Sequence, residues 1–295
     1  MEKNAKKIAI VGTPGAWSTE RLADAVAART GYRLVVDMAR VVCDLELGQV
    51  RAGAVDLCQL DGVIIKKISP EYSPDILDRL ELLRYVRARG VPVFSDPERV
   101  IRVLDRLACT VSLRIAGVAM PATTITADLD EAALAVERYG TAVAKPLFST
   151  KARGMTLIHA GPRARAELAA FQAAGNPVLY LQRRIPELTR DLGVVFLGGE
   201  YLATYAREAS KTSWNTTIHD GGRYRPFEPD PAVLELARVA QRPFGLDFTC
   251  VDVALTAEGP QVFEVSAFGG FRGLLDAHGR DAADLYAAYV LERIV

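Results

Sequence analysis

The sequence predicts an α/β protein that becomes α+β in its C-terminal part. Short apolar runs alternate with amphipathic segments over the first hundred residues, strand-like segments crowd together after residue 179, and no apolar run approaches the ~18–20 residues a membrane helix needs. With 295 residues the chain has room for about two domains. Half of it is apolar, as in globular proteins rather than disordered ones.

Lys and Arg together number 36, equal to Asp and Glu, so no net field draws the chain to nucleic acid or an anionic membrane. Local cationic clusters must carry any anion binding. Cys43, Cys58, Cys109 and Cys250 lie far apart in apolar stretches and read as buried, reduced thiols rather than zinc ligands or disulfides. The basic N-terminus leads into only four apolar residues, 8–11, too few for a signal-peptide core. A cytoplasmic protein is expected, with homo-oligomerisation left open.

In order, a strand over 7–11 precedes a loop and a helix from Ser18 to about Gly31. Strands over 33–37, 62–66 and 92–95 follow, with a helix starting at Ser73-Pro74, a cap followed by proline, and reaching Gly90. An open α/β layer over 1–98 results. A helix over about 98–116 ends at Gly117, an extended segment covers 122–126, and Asp128 caps a helix closing at Gly140. Strands over 142–146 and 155–158 flank a polar loop and form a lid-like hairpin within 99–177. In 178–295, strands over 179–183, 193–197, 201–207, 250–255 and 261–265 are interrupted by a helix over 230–242, and a helix over 281–294 closes the chain.

The last two strands are joined by residues 256–260, a hairpin-length connection containing glycine. If the loop centres on Glu258, Asp252 and Glu264 fall directly opposite on one face, their β-carbons about 5 Å apart. Like charges so placed repel, and a divalent cation would compensate them. Spacing alone also permits a solvated sheet face, or a one-residue register slip that sends Glu264 to the other side.

The pair sits in Val251-Asp252-Val253 and in Glu264-Val265-Ser266, and these strings resemble the metal motif of RimK-like ATP-grasp ligases, typically GVD and then EVN. Further similarity follows in the right order from about residue 70: Leu104-Asp105-Arg106, residues 117–121, Ala144-Lys145-Pro146, Leu181-Gln182, Asp191, Arg207 and Gly221-Gly222. The resemblance implies an ATP-grasp fold after an open α/β domain at 1–98, with a central subdomain at 99–177 carrying the phosphate lid and a C-terminal subdomain at 178–295 carrying the metal site.

It also implies roles. Lys145 would meet the nucleotide phosphates, and Ser149, Thr150, Lys151 and Gly154 occupy the place of the glycine-rich lid, of which only Gly154 keeps the glycine. Gln182, Arg183 and Arg184 match the hinge strand whose backbone meets adenine. Asp191 matches a residue associated with ribose, whereas the Arg usual two positions on is Gly193 here. Arg207 would face the γ-phosphate or an acyl phosphate, its planar fork suiting either. Lys211 stands near a missing Arg-x-Asn, whose places hold Asn215 and Thr217. Asp252, Glu264 and Ser266 would hold Mg²⁺ or Mn²⁺, Ser266 replacing the family's Asn.

The implied reaction is ATP-dependent joining of a small-molecule, peptide or protein carboxylate to an amine (or thiol) through an acyl phosphate, releasing ADP. The alternative is an ATP-binding module of the same fold with altered or lost catalysis. His159, His219 and His278 lack ligand spacing, and Trp17 and Trp214 read as core or rim aromatics. Residues 12–15 lack the GxxxxGK[ST] phosphate loop but, after a first strand, are placed to line a cleft that receives an acceptor.

Overall fold

In the computed structural model, which describes residues 6–150, 152–186, 188–208 and 222–294, the first apolar runs assemble into a parallel sheet. β1 (Ile8–Val11) leads into α1 (Trp17–Thr30), and β2 (Leu34–Val36) returns beside β1. Three short strands, β3 (Val41–Asp44), β4 (Gln49–Ala52) and β5 (Val55–Asp56), form a separate antiparallel meander that the apolar periodicity does not signal. β6 (Gly62–Ile65), α2 (Ile76–Ala88) and β7 (Val93–Phe94) complete the sheet order β2-β1-β6-β7. Every residue of β1 and β6 is buried, as in a parallel sheet covered on both faces. α2 starts later than Ser73-Pro74 suggests, because Asp75 is its N-cap and the Ser73 hydroxyl bonds to the Asp75 carboxylate instead.

The helix expected over 98–116 is two helices, α3 (Pro97–Leu104) and α4 (Arg106–Ile115). Asp105 breaks them. Its backbone is extended, and its carboxylate accepts from the N–H groups of Leu107 and Ala108 at 2.8 and 3.4 Å, an N-cap in the middle of an apolar helical pattern. Arg106 therefore becomes the first residue of α4.

β8 (Thr123–Thr126), α5 (Leu129–Tyr139), β9 (Thr141–Lys145), β10 (Thr156–His159), α6 (Ala164–Ala173) and β11 (Leu179–Arg183) build an antiparallel sheet of order β10-β9-β11-β8. Ala132, Val136 and Leu168 of its two helices share a core with Ala144, Leu179 and Leu181. The hairpin of β9 and β10 is present as expected.

The last sheet has the order β14-β13-β12-β15-β16, from β12 (Arg190–Leu197), β13 (Glu200–Glu208), β14 (Arg223–Phe227), β15 (Phe248–Thr256) and β16 (Gly259–Ser266). α7 (Pro231–Gln241) packs Val233, Ala237 and Ala240 into one core with Val251, Val253 and Val262. After α8 (Phe271–His278), α9 (Ala282–Leu291) returns to the parallel sheet, where Ala283, Tyr286 and Val290 join Ile8, Ile10 and Leu22. Arg21 and Arg29 of α1 pair with Asp281 and Asp284 at 2.9 and 2.5 Å. The end of the chain thus ties its beginning to the five-stranded sheet. No helix among the described residues is long and apolar enough to cross a membrane. Cys109 and Cys250 are buried free thiols as expected, but Cys43 and Cys58 are only half-buried.

Tyr205 of β13 accounts for glycine at position 193, where the resemblance leads one to expect arginine. Its ring occupies the space above Gly193, where a β-carbon would lie 2.3 Å from ring carbon, and it presses equally on Gly273 of α8. Its hydroxyl meets the Cys250 sulfur at 3.4 Å. An arginine at position 193 has no room here. Gly193→Ala is expected to lower stability by about 1–3 kcal/mol, because a packed aromatic must move. Urea unfolding should show a lower midpoint at unchanged slope; an unchanged midpoint would mean that the ring gives way freely.

Candidate active site

All three larger sheets contribute to one cavity of about 870 Å³, within the range of small-molecule sites. The β1–α1 loop, the end of β6, the start of α4, the β9–β10 loop and strands β11, β12, β13, β15 and β16 each present side chains to it.

The acid pair depends on a backbone irregularity. The β15–β16 connection is a two-residue turn, Ala257-Glu258, with Thr256 opposite Gly259, not the five-residue loop expected from the sequence. Carried straight along the ladder, that register would set Asp252 against Phe263. Instead the register shifts between Asp252 and Val253, so that Val253 pairs with Val262 and Asp252 with Glu264. Phe263 is the bulged residue, and consecutive Phe263 and Glu264 both line the cavity.

Arginine holds each acid of the pair. The Arg207 fork binds both oxygens of Asp191, Nε to Oδ1 at 3.0 Å, and its Nη2 lies 3.0 Å from Oδ2 of Asp252. Asp191 is 4% exposed with both oxygens engaged, so it is not presented to a ribose in this arrangement. Arg106, itself buried, donates to Glu264 Oε2 at 2.8 Å, to the Pro146 carbonyl at 3.0 Å and to Ser149 Oγ at 3.3 Å. It therefore connects the β9–β10 loop to the acid pair. Lys145 is buried and donates to Gln182 Oε1 at 2.6 Å, with its ammonium 5.3 Å from the Phe263 ring centre.

Desolvation sets the electrostatics. Burial, partly offset by Arg207 and reinforced by Glu264, pushes the Asp252 carboxyl upward. Burial acts the same way on Glu264, but Arg106 and Lys145 outweigh it and hold that carboxyl below its usual range. Burial lowers the Arg207 charge affinity, yet Asp191 and Asp252 more than reverse this and keep its guanidinium charged. Burial, aided by Arg106, brings the Lys145 ammonium down to about 7.

The donor set suits a hard divalent cation. Asp252 and Glu264 share a face and repel, and Glu264 Oε1 has no hydrogen bond among the described residues. No three His, Cys, Asp or Glu side chains cluster among the described residues, so a cation would fill most of its shell from phosphate and water oxygens. Ser266 lines the same cavity, but its hydroxyl oxygen already accepts from the N–H groups of Phe268 and Gly269 at 3.3 and 3.0 Å. It is a weak candidate for a third ligand.

In the β9–β10 loop, where the lid is expected, Ser149 and Thr150 line the cavity whereas Gly154 does not, lying against Pro146 with φ of 69°. Ala152 also adopts positive φ, 56°, so the loop makes two left-handed turns with one glycine. Arg183 and Arg184 line the cavity, with Arg183 also 3.4 Å from Glu258. Lys151 and Lys211, like Trp214, Asn215, Thr217 and His219, lie outside the described residues. His159 bonds Thr141 and His278 bonds the Thr204 carbonyl, as structural histidines do. Sequence reasoning gave Arg106 no role, although it follows the capping Asp105. It also passed over Lys66, a charged residue directly after the wholly buried β6.

Comparison with known proteins adds an independent line. Residues 103–290 match the model of the RimK-like ATP-grasp domain. The chain is similar to a tetrahydromethanopterin:alpha-L-glutamate ligase of Methanosarcina acetivorans, 24% identical over 326 aligned positions covering 97% of this chain and 98% of that protein. A probable alpha-L-glutamate ligase of Pseudoalteromonas translucida is 27% identical, covering 93% and 91%. Similar folds include the ATP-grasp ligase PsnB complexed with a minimal precursor (TM-score 0.75, 15% identity, 98% and 99% covered). A RimK domain ATP-grasp protein of Sphaerobacter thermophilus gives a TM-score of 0.74 at 21% identity, covering 96% and 98%.

Lys145 gives the site a pH signature. Burial brings its ammonium to about 7, and a phosphate set against it would raise it, so binding there would take up a proton above that pH. Metal-free ADP should bind more weakly at about pH 8 than at about pH 6, and the decline should be shallower in Lys145→Arg, whose guanidinium stays charged throughout. Calorimetric titration in EDTA checks this; equal declines would remove Lys145 from the phosphate site.

Proposed function

The chain belongs to the RimK-like ATP-grasp family, and on that premise we propose that it is an ADP-forming carboxylate-amine ligase. The observation that carries the reading is the bulge-enforced pairing of Asp252 with Glu264 in a cavity that also holds Lys145, Arg106 and Arg207. Joining a carboxylate to an amine fails without activation, because the carboxylate oxygen is a poor leaving group. A carboxylate oxygen attacks the γ-phosphorus of ATP, ADP leaves, and the acyl phosphate is captured at its carbonyl carbon by the amine. Phosphate departs and an amide remains. No nucleophile of the protein is needed, and the protein contributes position and charge.

Lys145 would hold the phosphates, with Gln182 fixing its ammonium. Arg207, poised on Asp191 and Asp252, would turn part of its fork to the oxygens that gain charge at the transferring group. Arg106 would register the lid loop through Pro146 and Ser149 as it covers the nucleotide. Asp252 and Glu264 would hold Mg²⁺ or Mn²⁺, which supplies charge neutralisation to the phosphates when bound. Gln182, Arg183 and Arg184 at the end of β11 would border the adenine. The names of the alpha-L-glutamate ligase relatives support an α-amino acid as the amine.

ADP formation from Mg²⁺-ATP is measured with pooled carboxylates and amino acids, with hydroxylamine added in parallel to trap acyl phosphate as hydroxamate. Substrate-dependent ADP and hydroxamate are expected, both falling about 10²-fold or more in Asp252→Asn and Glu264→Gln. ATP binding without turnover across the pool would favour a nucleotide-binding module instead, a reading that the occupied Ser266 hydroxyl supports.

A further inference from the structure

A second set of cationic side chains lines the cavity from elements that hold none of the acids. Lys66, at the end of β6, is 2% exposed. Its ammonium donates to the Phe268 carbonyl at 2.6 Å and lies 3.8 Å from the centre of the Phe271 ring. One of its three donors is thus used among the described residues, and no carboxylate there accepts from it. Burying an ammonium with unfilled donors is costly without a partner. The residue after Phe271 is Arg272, in the first turn of α8, whose guanidinium lies 4.0 Å from the centre of the Trp17 ring. Trp17 and Arg272 both line the cavity.

An arginine stacked on an indole keeps its in-plane N–H groups available, and that planar edge matches a carboxylate. Among the described residues its ion-pair partner is Asp276, 3.9 Å away on the same helix and beyond hydrogen-bond length. α8 opens on Gly270 without a side-chain cap, which adds the positive end of the helix to the same wall. Among the described residues the acids lining the cavity are Asp191, Asp252 and Glu264, and each is already engaged by Arg207 or Arg106. Among the described residues, then, no cavity-lining acid is hydrogen-bonded to Lys66 or Arg272.

We propose that Lys66, Arg272 and Trp17 form a subsite for a non-reacting carboxylate of a substrate, foremost the α-carboxylate of the amino acid that supplies the amine. The proposal rests on the ligase reading above and adds to it a recognition element. The reacting groups meet beside Asp252, Glu264 and Arg207, while a carboxylate elsewhere in the substrate is held by the stacked fork and the buried ammonium. Neutral amines of similar size would leave both cations unmatched and bind less well.

Trp17 reports on its own occupancy. With Trp214→Phe as background, Trp17 is the sole tryptophan, and its fluorescence is titrated with each standard amino acid, with their methyl esters and with glutarate, in Mg²⁺-ADP. At least one amino acid should bind saturably and its ester about tenfold or more weakly, the loss of a charge-assisted contact. Arg272→Ala should erase that difference and Arg272→Lys retain part of it. Because Arg272→Ala also removes the stack, Lys66→Met is the second variant: it leaves the stack in place and should weaken the acid by about fivefold. Glutarate binding with the same dependence on Arg272 would support the subsite and assign it to the acyl donor. Esters binding as tightly as acids, or no saturable ligand in the panel, would overturn it. Calorimetry with Mg²⁺-ADP separates the two proposals: intact nucleotide binding without carboxylate dependence removes the subsite alone, whereas absent nucleotide binding removes the ligase reading.

Discussion

The match of carboxylates to cations inside one cavity is the constraint on which the other features depend. Asp191, Asp252 and Glu264 are drawn toward Arg106, Lys145 and Arg207, and the buried members, Asp191, Arg106 and Lys145, would be costly without their partners. The members come from six different elements, β9, β12, β13, β15, β16 and α4, so the match also fixes how the sheets meet. A polyanion carrying its own divalent cation adds charges of both signs and can enter by exchanging partners. A chain with no net charge could accept a nucleotide in that way.

Local backbone devices bring those charges together. The bulge at Phe263 converts a two-residue turn into a register that sets Asp252 against Glu264. The cap at Asp105 breaks one helical pattern into two helices and delivers Arg106 to the Pro146 carbonyl, Ser149 and Glu264. Tyr205 packs where two glycines leave room, and its hydroxyl reaches Cys250, two residues before Asp252 on β15. α9 closes the molecule on α1, holding the β1–α1 loop with Trp17 beside the cavity.

Much of this was legible in the sequence because it rests on local chemistry. The alternation of strands and helices and the β9–β10 hairpin follow from periodicity and turn residues. What escaped did so for physical reasons. The β3–β5 meander consists of strands of two to four residues, too short for a pattern. Asp105 hides because a cap inside an apolar helical stretch leaves the period intact. The pairing of the acids came out as expected while its route did not, since a symmetric five-residue loop and a two-residue turn with one bulge give the same opposition. Lys66, the role of Arg106 and the Trp17–Arg272 stack depend on partners far apart in the chain, which a local string does not reveal.

The Arg207 fork grips the buried Asp191 and reaches Asp252, so it joins two acids of the charge match. Urea unfolding of Arg207→Met, alone and combined with Asp191→Asn, tests that match most directly. The single substitution should cost about 3–5 kcal/mol by stranding buried carboxylates, and the double substitution should recover a large share of the loss because the stranded charge is removed. A single-variant cost below about 1 kcal/mol, or strictly additive effects, would contradict the account.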